Sequence, residues 1–75
     1  MFSKNIFSAR IIELRKASNI TQSALAAAVG LNRTAITLIE KAERACSVEV
    51  LYQLAQYFNV SADYLLGLSD NPNRV

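Results

Sequence analysis

The stretch TQSALAAAVGLNRTAITLIE, Thr21 to Glu40, decides how this chain folds. It carries apolar residues at helical spacing on both sides of a single glycine. Leu25, Ala26 and Val29 form one stripe, and Ile36 and Ile39 form the other. Thr21 and Asn32 stand where each helix would begin, and either side chain can accept a hydrogen bond from a first-turn N–H. Gly30 follows the first stripe and can take the left-handed backbone that stops a helix. Two helices joined by so short a corner need particular residue types. Ala26 is small where the helices approach most closely. Leu25, Val29, Leu31, Ile36 and Ile39 supply the apolar contacts that fix the angle between them. The pattern predicts a helix from Gln22 to about Val29, a turn at Gly30, and a second helix from after Asn32 to about Lys41.

Outward from this unit the same logic applies. A helix over Lys4 to Ala17 is predicted from the stripe Phe7, Ile11, Leu14, with Ser3 or Ser8 as its cap and a polar break at Ser18-Asn19. Ala42 to Cys46 reads as a loop. Ser47 caps a fourth helix, Val48 to Phe58, whose stripe is Leu51, Leu54, Ala55 and Phe58. Asn59-Val60 ends it. Ser61 caps a short fifth helix through Leu66, and Gly67 stops that one. Period-2 alternation is nearly absent. The expected fold class is therefore all-α: a compact five-helix domain over residues 1–69, with the helix-turn-helix at its second and third helices. Residues 70–75 are polar, contain Pro72, and are expected to form a flexible tail.

Composition narrows the function. The 75 residues are 52% hydrophobic and only 19% charged, with net charge +2, one Cys and no His. A single small domain fits. Without His, a zinc site lacks its usual ligands, so neither metal nor cofactor is expected. Carboxylates are scattered, which makes an enzyme the poorest reading. One cysteine fits a reduced, cytoplasmic setting, with Cys46 as a small packing residue. No apolar run approaches the ~18 residues that span a membrane, and Met1 to Phe7 lacks a signal peptide's apolar stretch.

The charge is distributed unevenly. Residues 1–46 hold seven Lys and Arg against three Asp and Glu, a balance of +4, while residues 47–75 balance at −2. The positive half contains the helix-turn-helix, as expected for a protein that meets double-stranded DNA. On the third helix, Thr34, Thr37, Leu38 and Lys41 lie opposite the inward Ile36 and Ile39. Arg33 sits in the first turn. A recognition helix leads with its N-terminal residues, so Arg33, Thr34, Thr37 and Leu38 are the candidate base contacts. Gln22, Asn32, Lys41 and Arg44 are the candidate phosphate contacts.

At these residues the chain resembles the Cro/cI-type helix-turn-helix family, also called XRE. The resemblance runs through Arg10 to Arg15, Ile20-Thr21-Gln22, Leu25-Ala26, Val29-Gly30, Arg33, Ile36 and Ile39-Glu40. It resumes at Ser47, Leu51, Leu54-Ala55 and Phe58 to Ser61, and ends at Asp63 to Ser69. It covers about residues 5–70. It implies a lambda-repressor-like domain that binds operator DNA, and a largely buried ion pair between Arg15 and Glu40. Three positions depart from the family pattern. Lys41-Ala42 stands where Asn-Gly is common, Cys46 where proline is common, and Leu38 where a polar residue is usual.

The expected function is a sequence-specific transcriptional regulator, a repressor binding a near-palindromic operator as a homodimer. The alternative is a protein-binding module such as an antitoxin or accessory regulator, with a toxin or co-regulator as partner. Phe2, Leu38, Tyr52, Tyr57, Leu66 and Leu68 have no inward role in the helix assignments. From the C-terminal residues the dimer contact is expected at Tyr57, Tyr64, Leu66 and Leu68.

Overall fold

Every helix in this protein carries its own start and stop signals. In the computed structural model, which describes residues 1–73, five helices follow in order: α1 Lys4–Ala17, α2 Gln22–Ala28, α3 Arg33–Glu40, α4 Val48–Phe58 and α5 Ala62–Leu66. Each begins at a side-chain oxygen that accepts from the backbone N–H three residues on. Ser3 serves Ile6, Thr21 serves Ala24, Asn32 serves Ala35, Ser47 serves Val50 and Ser61 serves Tyr64. Such a cap is worth about 1 kcal/mol over alanine.

The stops are equally regular. Asn19, Gly30, Ala42, Asn59 and Gly67 all have positive φ, between 55° and 80°. After each of them the next N–H reaches back five residues: Ile20 to the Arg15 carbonyl, Leu31 to Ala26, Glu43 to Leu38, Val60 to Ala55 and Leu68 to Asp63. This satisfies carbonyls that the helix ends would otherwise leave open. Helices α2 and α3 end one residue earlier than expected, because Val29 and Lys41 are the capping residues.

Phe7, Ile11, Leu25, Ile36, Ile39, Leu54 and Leu65 are fully buried and bring all five helices to one core. Helix α2 packs on α3, α1 packs on both α3 and α5, and α4 packs on α5. Leu14, Ile20, Leu31, Leu51, Phe58 and Tyr64 pack around this centre half-buried. No helix among the described residues is long and apolar enough to cross a membrane.

As far as Pro72, the segment after α5 is hydrogen-bonded to α1 and to the residue that caps α5. Arg10 donates to the carbonyls of Tyr64 and Ser69 at 2.6 Å each and pairs with Asp70 at 3.0 Å. Its guanidinium also lies 4.0 Å from the centre of the Tyr64 ring. The Ser61 N–H donates to the Pro72 carbonyl at 3.0 Å. One arginine on α1 thus ties the segment after α5 back to the domain. Arg74 and Val75 lie outside the described residues.

Ala42 holds φ +60° without being glycine, a conformation that costs an L-residue roughly 1–2 kcal/mol. Ala42→Gly is expected to raise stability by about 0.5–1 kcal/mol, since relief of strain exceeds the added unfolded-chain entropy. Gly30→Ala meets open space and is expected to cost about 1 kcal/mol for backbone alone. At Gly67 a new Cβ would lie 2.9 Å from Ile6 Cγ2, so Gly67→Ala should cost more than Gly30→Ala. Urea denaturation of the three variants checks the order.

Candidate nucleic-acid interface

Glu40 is the last residue of α3, where the backbone brings it toward α1 and α2. Its carboxylate accepts from Arg15 Nε at 2.6 Å and from Arg15 Nη2 at 3.0 Å. This is the planar two-point match that guanidinium makes with carboxylate. The Glu40 side chain is 7% exposed and that of Arg15 is 16% exposed, so water competes weakly for either. Hydrogen bonding to Glu40, assisted by its charge, raises the Arg15 pKa further above its usual value, against a lowering by burial. The remaining Arg15 nitrogen donates to the Ile20 carbonyl at 3.0 Å.

Gln22 extends this pair into a network. Its Nε2 donates to Glu40 Oε1 at 3.0 Å, and its Oε1 lies 3.1 Å from the Thr37 hydroxyl. That hydroxyl also lies 3.0 Å from the Arg33 carbonyl, and its one proton goes to one acceptor at a time. Buried Ser8 donates to the Glu40 backbone carbonyl. Helices α1, α2 and α3 therefore meet at one carboxylate.

The structure brings Arg15, Gln22, Thr37 and Glu40 together, and leaves the other sequence-derived residues outside the cluster. Arg33, Thr34, Lys41 and Arg44 are exposed. Neither Arg33 nor Lys41 nor Arg44 forms an ion pair among the described residues. Asn32 uses its Oδ1 to cap α3, at 2.8 Å from the Ala35 nitrogen, which leaves its NH2 outward as a donor. Leu38 is half-buried rather than open on the outer face. Arg15, Thr21, Gln22, Ser23 and Arg33 line a shallow polar depression where α2 and α3 both begin. Neither helix has an acidic residue in its first turn, whereas α4 has Glu49 and α5 has Asp63. The positive ends of the α2 and α3 dipoles are thus left available to an anion.

Two roles escaped the sequence reading. Ser8 is read there as an alternative cap for α1, but its hydroxyl is spent on Glu40. Tyr64, expected at a dimer contact, is engaged within the chain: its hydroxyl donates to Glu13 at 2.6 Å and its ring meets Arg10. The bond to Glu13, with burial second, raises the Tyr64 pKa. No group of three or more His, Cys, Asp or Glu that could hold a metal occurs among the described residues.

The helix-turn-helix family profile matches residues 11–65. This chain belongs to the Cro/cI-type, or XRE, helix-turn-helix family. It is 34% identical over 64 residues to the uncharacterized HTH-type transcriptional regulator YobD of Bacillus subtilis (strain 168), which spans 85% of this chain and 57% of that protein. It is 35% identical over 69 residues to the HTH-type transcriptional regulator PrpR of Mycobacterium tuberculosis (strain ATCC 25618 / H37Rv), covering 92% of this chain and 14% of that one. The chain thus spans about half of one curated relative and a small part of the other. Among solved structures, it resembles the P22 c2 repressor crystallised with synthetic operator 9T in the presence of Tl+. The TM-score is 0.78 at 36% identity, over 81% of this chain and 92% of the repressor chain. The five-helix, all-α fold of this protein is the fold of that repressor domain. The family is one of DNA-binding regulators rather than enzymes.

Glu40→Gln would leave the Arg15 guanidinium largely buried without its counter-charge. A loss of about 3–5 kcal/mol in unfolding free energy is expected, against a much smaller change for Asp70→Asn, whose side chain is solvent-exposed. Thermal or urea unfolding of the two variants provides the comparison.

Proposed function

We propose that this chain is the DNA-binding unit of a sequence-specific transcriptional regulator that inserts α3 into the major groove. The observation that carries the reading is the contrast along α3. Its inward residues Ile36 and Ile39 are buried, and its C-terminal Glu40 is clamped to α1 and α2. Its leading residues Arg33 and Thr34 are exposed, and Arg33 has no ion-pair partner among the described residues. A rigid helix with a free arginine at its leading end suits the reading of base edges.

In this reading Arg33 donates to guanine O6 and N7, and Thr34 contacts an adjacent base edge. Thr37 offers its methyl group and its acceptor lone pairs, since its proton is shared inside the chain. Half-buried Leu38 meets a thymine methyl. Asn32, Lys41 and Arg44 bind phosphates, as does the second Gln22 amide hydrogen, the first being committed to Glu40. The P22 c2 repressor was crystallised with operator DNA, and this supports the same class of ligand here. The protein acts as a repressor, and as a homodimer on a near-palindromic operator with half-sites about 34 Å apart.

Selection of bound DNA from a random pool tests the proposal. One enriched motif with two-fold symmetry is expected. Arg33→Ala should cost about 1–3 kcal/mol and relax preference at one base pair. Lys41→Ala should weaken all sequences alike and lower the salt slope by about 1. A pool with no enriched sequence would falsify the DNA reading. A module that binds a protein would then take its place, for which half-buried Leu38 on α3 is the supporting observation.

A further inference from the structure

The hydrogen-bonding role of Thr37 is fixed from inside the protein. Glu40, held by Arg15 at 2.6 and 3.0 Å, is a carboxylate and can only accept. The part of the Gln22 side chain that lies 3.0 Å from it must therefore be the amide NH2. That turns the Gln22 carbonyl oxygen the other way, to 3.1 Å from the Thr37 hydroxyl. The Arg33 carbonyl, one turn back on α3, lies 3.0 Å from the same hydroxyl. Both inward neighbours of the hydroxyl are acceptors, and it has one proton to give. The proton stays inside whichever of the two it serves. Thr37 is half-buried, and exposed Arg33 and Thr34 precede it by one turn on the same face. Toward that face its oxygen presents lone pairs only.

We propose that Thr37 is a specificity-determining residue that accepts a hydrogen bond from an exocyclic base amine in the major groove, adenine N6 or cytosine N4, and that Gln22 is the positioning residue that holds it in this polarity. The inference deepens the proposed reading of DNA by α3 and rests on it. A helix in the major groove meets phosphate oxygens, base carbonyls, purine N7 and base amines. The first three only accept, and an oxygen that offers lone pairs is repelled by each of them. The amines donate, so among these polar groups they alone match.

The two inward acceptors do not contribute equally. The Arg33 carbonyl keeps the N–H bond of its own helix when the hydroxyl turns away. The Gln22 oxygen, on a half-buried side chain, gives up the donor that Thr37 supplies. Turning the proton outward to a base carbonyl therefore breaks a bond inside the protein, and leaving a partly desolvated acceptor without its donor is costly. Polarity thus passes from the Arg15 cation to Glu40, from Glu40 to the Gln22 amide, and from that amide to the hydroxyl on α3. The buried ion pair acts on base choice without touching DNA.

The test starts from DNA that the full chain selects out of a random pool, and from the base pair at which Thr37→Val alters the preference. Affinity is then measured with the amine of that pair deleted, by purine in place of adenine or 2-pyrimidinone in place of cytosine. Circular dichroism confirms that each variant is folded. Deleting the amine should weaken wild-type binding about 3- to 10-fold more than it weakens binding by Thr37→Val. Comparing the two proteins cancels the effect of the deletion on base pairing itself. Thr37→Ser should keep the coupling. Gln22→Met, of similar size but with no acceptor, should reduce it at least about 2-fold. Deleting the carbonyl of the same pair, by 2-aminopurine in place of guanine or 5-methyl-2-pyrimidinone in place of thymine, should show no coupling. Coupling to the carbonyl instead of the amine overturns the proposal. So does a Thr37→Val variant that changes no position, or that weakens all sequences alike as a lost phosphate contact would. Full coupling in Gln22→Met overturns the positioning role of Gln22. A pool with no enriched sequence overturns the DNA reading itself, which keeps the two failures distinct.

Discussion

The arrangement of the first three helices depends on one carboxylate. Apolar burial pulls α1, α2 and α3 together, but it has no preferred direction. The Glu40 side chain accepts from Arg15 on α1 and from Gln22 on α2, and these bonds need particular distances and planes. They convert a contact that could slide into one with a fixed register. Because the guanidinium fork is planar, it also sets the rotation of α3 about its own axis. The side chains of α3 that face outward are therefore oriented by residues that face inward. Thr37 sits at the junction, since its hydroxyl reaches the Gln22 amide and its methyl group remains for other contacts.

The electrostatics of the surface follow the same division. The ionised groups on and beside α3 are divided between inside and outside. Arg15 and Glu40 neutralise one another inside, while Arg33, Lys41 and Arg44 lie outside and form no ion pair among the described residues. Acidic residues are absent from the first turns of α2 and α3 and present in those of α4 and α5. The net charge of +2 is thus unevenly spread, with +4 on residues 1–46 and −2 on residues 47–75.

Much of this was legible in the sequence because the signals are local. A serine, threonine or asparagine before each apolar stripe marked every helix start, and Gly30 and Gly67 marked two of the stops. Ala42 did not announce itself, since alanine carries no sign of a left-handed backbone. Gln22 was read as a candidate phosphate contact, and nothing in a first-turn polar residue reports that its amide turns inward to Glu40 and Thr37. Arg10 shows the limit best. Its partners Tyr64, Ser69 and Asp70 lie 54 to 60 residues away, and no periodicity on α1 reports them.

The regular punctuation of the helices bears on how the chain reaches its structure. Every start, and every stop but the one at Ala42, is written in residues within a turn of the boundary, so most segment ends are set without reference to the rest of the fold. Helices of 5 to 14 residues are marginal in isolation, and docking must supply their stability. The conformational search is then reduced to bringing together five segments whose lengths are already decided. Chains of this kind, rich in near-neighbour contacts, fold in microseconds to milliseconds.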